Sequence, residues 1–431
     1  MPELYKLRNQ IKHYEWGSPD FIPRLLGTAS TDGAPWAELW MGCHPAGPSL
    51  VNDDTSLDQL IAENPRRCLG EKMAHKFGTL PFLFKLLAAE KPLSIQAHPN
   101  KEQARAGFER ENRAGLPQDA PNRCYKDPNH KPELLCALTP FTGMCGFREP
   151  DEIRNLLANF TQRRIVPQAV RDAEGNALIV KEALTAVSSC IDNGDSGEGL
   201  KNFLNALFEL SNEARQAITE FILSHEPPSP PRSLREELET ESSEWALMRK
   251  FAELYPGDPA VLAPLYLNIF RLQPGEAIFL KAGVLHSYIH GFAVELMANS
   301  DNVLRGGLTG KHVDIPELMN ILDFCPFNPQ IIKPGAASLH FGYPSACEEF
   351  SLTMLRGEGV GANKFAADNA GAAFMRESPS ICIVTEGETI FADSGGEAIL
   401  KQGESAFIPA GGSPLSLRGR FTLYAASCPQ R

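Results

Sequence analysis

The sequence predicts a mainly β protein with an α insertion: two jelly-roll units, the first interrupted along the chain by a helical domain. Three observations carry this reading. Short apolar runs between Gly/Pro turns fill residues 1–149 and return after residue 263. Between them, from Pro150, the apolar period changes to 3.6 residues. A nine-residue segment, Gly275–Gly283, is echoed 128 residues on at Gly403–Gly411. Glycine and proline number 35 and 34 of 431 residues, which favours many turns.

Taken in order, residues 1–150 form the first part of the first jelly roll. Their strand-like text is AELWMGCHPAGPS at 37–49, PLSIQAHPN at 92–100 and ELLCALTPFTGMCGF at 133–147. In EPDEIRNLLANF, Ile153, Leu156, Leu157 and Phe160 fall at i, i+3, i+4 and i+7, one helical face. The same period recurs at 201–223 and 243–256, separated by the proline-rich break EPPSPPRS at 226–233. A helical insertion over 151–258 follows. Strand text resumes in PLYLNIFRLQPGEAIFLKAG and VLHSYIHGFAVELM, so 259–336 complete the first unit. Residues 337–431 form the second. In the echo, six of nine residues are identical or both branched aliphatic, as a recurring turn–strand–turn of a duplicated unit requires. The counterpart of His286 in that echo is Pro414, and no histidine follows residue 340, so the second unit should lack metal ligands.

Charge and composition exclude several classes. Lysine plus arginine total 41 against 53 acidic residues, a net charge of −12 with no basic run, which argues against a general nucleic-acid surface. A basic cluster for one small anion remains compatible. The opening MPELYKLRNQIKHYEW is charged throughout and does not read as a signal peptide. No apolar run reaches the roughly 18 residues of a membrane span; LPFLFKLL is broken by Lys85. The ten cysteines are scattered with no CxxC pair, which reads as reduced thiols in a cytoplasmic protein.

Three segments carry ligand-type residues. Strand alternation in PLSIQAHPN sets Ser94, Gln96 and His98 on one face and Leu93, Ile95 and Ala97 on the other. VLHSYIHGFAVELM reads as a hairpin about His290-Gly291, which sets His286 opposite Glu295 with Tyr288 on their face. In NHKPELLCAL, Lys131 and Glu133 flank a proline at the mouth of an apolar run. Each alone also fits a solvated strand face, a surface His–Glu pair or a charged loop junction. Together they make a constellation.

Together, too, they resemble type I phosphomannose isomerase. The matching text is PLSIQAHPNK at 92–101, HKPE at 130–133, Gly283–His286 with the residues that follow, and NVLRGGLT at 302–309, with YEWG and ELWMG nearer the start. The resemblance spans almost the whole chain. It implies two cupin-like jelly-roll units with a helical domain, one Zn2+ per chain held by Gln96, His98, Glu133 and His286, and Arg305 as the catalytic arginine. The cupin turn pattern reads here as Gly275, Gly283 and His286, with Lys281 where the pattern has proline. It further implies a monomeric enzyme acting on a small sugar phosphate. That enzyme would interconvert mannose 6-phosphate and fructose 6-phosphate through a cis-enediol(ate), feeding GDP-mannose synthesis and protein glycosylation.

The residue chemistry is compatible with that implication. Zinc accepts imidazole and carboxylate, and catalytic sites keep a position open; a glutamine amide is an unusual fourth ligand. Moving a proton between C2 and C1 needs an acid–base group. Glu295 and Lys131 are both candidates, and the residues alone leave the choice open. Arg305 can face the charge that develops on the enediolate. The loop Arg305–Lys311 offers two cations, a hydroxyl and backbone N–H groups to a phosphate, with Ser94, Lys101 and Tyr288 as further substrate contacts. Two alternatives keep the same fold: an Fe(II) oxygenase-type bicupin, and a non-enzymatic bicupin that stores or senses a sugar.

Overall fold

The computed structural model describes residues 3–28, 33–162, 173–192, 196–224, 243–335, 337–359, 373–374 and 376–429. The proline-rich segment 226–233 lies outside them. The strands of the first part are β1 (Tyr5–Leu7), β2 (Gln10–Lys12), β3 (Glu38–Gly42), β4 (Phe82–Ala89), β5 (Ile95–Ala97), β6 (Glu133–Ala137) and β7 (Phe141–Phe147). After the helices come β8 (Leu267–Leu272), β9 (Ala277–Leu280), β10 (His286–Ala298) and β11 (Leu304–Gly307). The C-terminal strands are β12 (His340–Tyr343), β13 (Ser351–Gly359), β14 (Ala373–Phe374), β15 (Ser380–Asp393), β16 (Gly396–Lys401), β17 (Ser405–Ile408) and β18 (Leu415–Ser427).

The metal-ligand segments lie in two antiparallel layers that share β10. One layer runs β2-β3-β4-β10-β6-β9 and uses Gly291–Ala298 of β10. The other runs β11-β5-β10-β7-β8 and uses His286–His290. Leu87, Leu135 and Ala137 of the first layer meet Phe141, Phe270 and Tyr288 of the second in one buried cluster, the interior of the sandwich. The opposite face of each layer is buried too, which is why β4 is apolar at every position but Lys85 rather than alternating. Phe82, Phe84, Leu86, Leu134 and Val294 pack on Phe350, Leu352, Met354, Ile381 and Phe407 of the C-terminal sheet. On the other side, Ile95, Ala97, Met144 and Leu304 pack on Ile153, Leu157, Phe203, Phe221, Trp245 and Phe251 of the helical block.

The helices Pro150–Thr161, Ser196–Phe208, Asn212–Leu223 and Ser243–Leu254 overlap the segments with the 3.6-residue period, and a further helix, Ala173–Ser189, lies between the first two. Among the described residues, no helix is long and apolar enough to cross a membrane. The echo is visible in the backbone. Gly275 and Gly403 have φ of 88° and 82°, Gly283 and Gly411 both have 78°, and β9 and β17 are four-residue strands between them. One feature departs from the expected division: β1 pairs with β17, so the first strand of the chain closes the C-terminal sheet.

The expected hairpin at His290-Gly291 is not formed. Residues 286–298 are one strand, and His286 pairs with Gln96 and Cys145, not with Glu295. The dipeptide marks a corner instead. The register against β7 slips between Tyr288 and His290, leaving Ile289 as the extra residue of a β-bulge. Gly291 then follows at φ 132°, a region only glycine occupies readily. A Cβ there would lie 2.7 Å from the Phe141 ring and 2.8 Å from the Pro140 carbonyl oxygen. Gly291→Ala should therefore cost about 3 kcal/mol, read as a lower urea midpoint at unchanged slope. Gly342→Ala, which meets nothing within 4 Å, is the control. Equal midpoints for the two variants would mean that the corner does not constrain the fold.

Candidate metal centre

Three side chains converge inside the sandwich. Glu133 opens β6, His286 opens β10 and His98 follows β5 directly. The two carboxylate oxygens of Glu133 reach across the layers, Oε1 to 3.1 Å from His98 Nε2 and Oε2 to 3.3 Å from His286 Nε2. The three residues are at most 3% exposed. His98 Nδ1 lies 2.7 Å from the Asn302 carbonyl and His286 Nδ1 3.0 Å from the Val284 carbonyl. A carbonyl can only accept, so each Nδ1 carries the proton and each Nε2 keeps its lone pair. Among the described residues neither Nε2 has a hydrogen-bond partner, and a lone pair facing the Glu133 carboxylate meets another acceptor. Buried bare lone pairs are costly in an apolar interior. A divalent cation between them and the carboxylate would satisfy all three, and their ligand atoms lie within 4.8 Å of one another.

The protonation states fit ligands as well. Burial drives the His98 imidazolium pKa down to about 4, helped by the Lys131 cation. Burial alone would raise Glu133, but Lys131 at 2.8 Å and the two imidazoles outweigh it and hold the carboxyl well below its usual range. Neutral imidazole and ionised carboxylate are the forms that bind metal.

Gln96 and Arg305 join by register. Gln96 stands opposite His286 on one side and opposite Arg305 on the other, so the three form a row across β10, β5 and β11 on the interior face. Arg305 is half-buried, and burial lowers its pKa; no ion pair to it is found among the described residues. Ile95 and Ala97 face the helical block as alternation requires, while Leu93, just ahead of the strand, packs with the sandwich interior.

The other expected site residues are spread more widely. Lys131 touches Glu133. Glu295 lies on the same interior face as Glu133, diagonal to it across β6 and β10. It is engaged by Lys85 at 3.1 Å; burial and the Glu133 charge push its pKa up, against the pull of Lys85. Tyr288 is buried behind the cluster and donates to Glu133 Oε2 at 3.0 Å. Ser94 is half-buried at the start of β5. Lys101 opens the helix Lys101–Arg113, with Glu349 of the C-terminal unit 3.9 Å away. Lys311 is exposed in the loop after β11, its backbone N–H donating to Thr309 Oγ1.

Several residues escaped the reading of the sequence. Lys85 was visible only as a charge interrupting LPFLFKLL. It is buried between Glu295 and Glu38, 3.4 Å away, and Trp40 Nε1 donates to Glu38. A lone lysine in the middle of a fully buried strand was the available signal. Asn302 is part of the NVLRGGLT segment, but its residue type and spacing assign it no role. Its side-chain oxygen accepts from the N–H groups of Lys126 and Asp127, its amide donates to the carbonyls of Asp127 and Asn129, and its own carbonyl orients His98. One side chain thus ties the loop that leads to Lys131 and Glu133 to the other ligand strand. A cavity of about 720 Å³ on the C-terminal unit includes Arg356 and Arg420. There Arg420 stands between Glu358 and Glu388 of the flanking strands, so the wall offsets its own charge.

Tyr288→Phe removes one hydrogen bond to Glu133 and little volume. Affinity for a divalent metal should fall about tenfold, read by competition with a chelating dye, at an unchanged circular dichroism spectrum. Unchanged affinity would show that the hydroxyl does not orient the carboxylate.

Comparison with known proteins places this geometry. A family model described as phosphomannose isomerase type I, catalytic domain, matches residues 4–150. The mannose-6-phosphate isomerase of Escherichia coli (strain K12) is 39% identical over 358 residues, covering 81% of this chain and 83% of that one. The human protein of the same name is 37% identical over 340 residues, covering 75% and 74%. A crystal structure of a zinc-bound mannose 6-phosphate isomerase superposes with a TM-score of 0.82 at 35% identity, over 99% of this chain and 100% of that one. So does the Salmonella typhimurium enzyme bound to its substrate fructose 6-phosphate and zinc, with a TM-score of 0.82 at 34% identity over the same shares. With more than a third of its residues identical over about four-fifths of both chains, and the fold shared over nearly its whole length, the chain belongs to the type I phosphomannose isomerase family.

Proposed function

We propose that this chain is a zinc-dependent aldose–ketose isomerase that interconverts mannose 6-phosphate and fructose 6-phosphate. The observation that carries the proposal is the pair of buried imidazoles whose bare Nε2 atoms face one buried carboxylate. Relatives named for this reaction, one of them solved with fructose 6-phosphate and zinc, supply the substrate. His98, Glu133 and His286 would hold the metal, with Gln96 as fourth ligand from its place opposite His286. When bound, zinc supplies Lewis-acid polarisation of the sugar oxygens at C1 and C2.

The remaining steps fall to the chain's own groups. The base removes the proton from C2 of the open-chain aldose, the charge spreads over a cis-enediolate, and the proton returns to C1. Lys131 is assigned this shuttle, because it is in contact with Glu133 whereas Glu295 is engaged by Lys85. Arg305, in the row with Gln96 and His286, faces the enediolate, and Thr309 and Lys311 offer the phosphate a hydroxyl and a charge. Around His98, Glu133 and His286 the sandwich interior is buried, which strengthens the electrostatic contacts made there.

Ten free cysteines support a reducing compartment such as the cytoplasm. A coupled assay of mannose 6-phosphate to fructose 6-phosphate should show activity that a chelator abolishes and zinc restores. One zinc per chain is expected. His286→Ala should lose both metal and activity; stoichiometric zinc retained in that variant would sink the ligand assignment. Arg305→Lys should lower kcat about 100-fold or more with zinc still bound, since lysine lacks the planar fork. A loss confined to KM would make Arg305 a phosphate contact only.

A further inference from the structure

Beside its apolar contact with the sandwich, the helical block reaches the exit of β11 through one carboxylate. Asp258 follows the helix Ser243–Leu254 and caps the short turn Pro259–Leu262, its Oδ1 accepting from the Ala260 N–H at 2.9 Å. Its Oδ2 does something a cap does not need. It accepts from the backbone N–H of Leu308 at 2.7 Å, fifty residues further along the chain.

Leu308 is where β11 leaves the sheet, three residues after Arg305. The exit is irregular at every step. The pairing with β5 slips between Arg305 and Gly307, so a bulge sits directly beyond the arginine. Gly307 has φ 123°, and a Cβ there would lie 2.3 Å from Ala260 Cβ and 3.0 Å from Asp258 Oδ1. Leu308 has φ 53°, the one non-glycine residue in the left-handed region among those described. A leucine stays there only where its surroundings over-determine it. Here its side chain is 1% exposed in the cluster that also holds Ala260, Val261 and Leu262, and its N–H is fixed by Asp258. Helix Asn212–Leu223 braces the carboxylate in turn: Arg215 attracts it electrostatically and Thr219 Oγ1 accepts from the Gly257 N–H at 2.9 Å.

We propose that Asp258 is a positioning residue for Arg305, through which the helical block holds the bulged exit of β11 so that the guanidinium stands at the reacting sugar. This rests on the role given to Arg305 above. The helical block then has a part in the reaction without contributing a group that touches substrate.

The two bonds of Asp258 can be separated. Asp258→Ser keeps a hydroxyl acceptor for the Ala260 cap but is too short to hold Leu308 as well. Native chain, Asp258→Ser, Arg305→Lys and the double variant are compared, zinc-loaded, for kcat, KM, zinc content and thermal midpoint. Asp258→Ser should lower kcat at least tenfold with zinc stoichiometric, and should cost less than twofold when added to Arg305→Lys, because the group it positions is already gone. An undiminished kcat overturns the proposal, as does the same fold-loss in both backgrounds, which would mark general damage to the fold. If the serine variant does not fold, Asp258→Asn, which keeps the shape and loses one acceptor, is read by the same two criteria. A native, zinc-loaded chain inactive on mannose 6-phosphate would overturn the functional reading itself, an outcome distinct from an active chain indifferent to Asp258.

Discussion

The site depends on how one strand turns a corner. A regular strand presents alternate residues to one side, so His286 and Glu295, nine apart, would face opposite ways. The extra residue Ile289 and the unusual backbone of Gly291 change the parity. His286 and Tyr288 then face inward from one layer, and Ala293 and Glu295 face inward from the other. The same corner lets β10 belong to both layers, so the residues that meet at the centre are held by a continuous backbone. Loop placement would leave them looser than the tenths of an ångström a coordination site tolerates.

The interior this creates is electrostatically incomplete. Lys85 and Lys131 stand against Glu38, Glu133 and Glu295, all within a closed apolar sandwich. Buried charges are tolerated there as paired groups, and the two bare imidazole nitrogens have no such partner. A divalent cation at those nitrogens gives each lone pair a partner and adds positive charge at the site. A site built this way favours anions at its mouth, which suits a phosphorylated sugar and an enediolate alike.

The flanking layers explain the length of the chain. Each sheet of the sandwich has an apolar outer face, and each must be covered. The C-terminal sheet covers one and takes β1 into its own edge. The helical block covers the other and braces the exit of β11 through Asp258. Neither layer contributes one of the converging ligands, yet both fix the strands that do.

Much of this was written locally. Alternation in PLSIQAHPN, the 3.6 period after Pro150 and the Gly275/Gly403 echo depend on near neighbours alone, so the strand face, the helical block and the repeated turn were legible from the residues. The convergence of Gln96, His98, Glu133 and His286 came from resemblance rather than from spacing, because they lie on separate strands. The hairpin expected at His290-Gly291 shows the limit. That dipeptide suits a turn and a bulge equally, and only the strands beside it, β7 first and then β4 and β6, decide between them. Lys85, Asn302 and Asp258 were illegible for the same reason. A buried lysine, a four-bonded asparagine and a two-sided carboxylate acquire meaning from partners up to 210 residues away, and such partners exist only once the layers have packed.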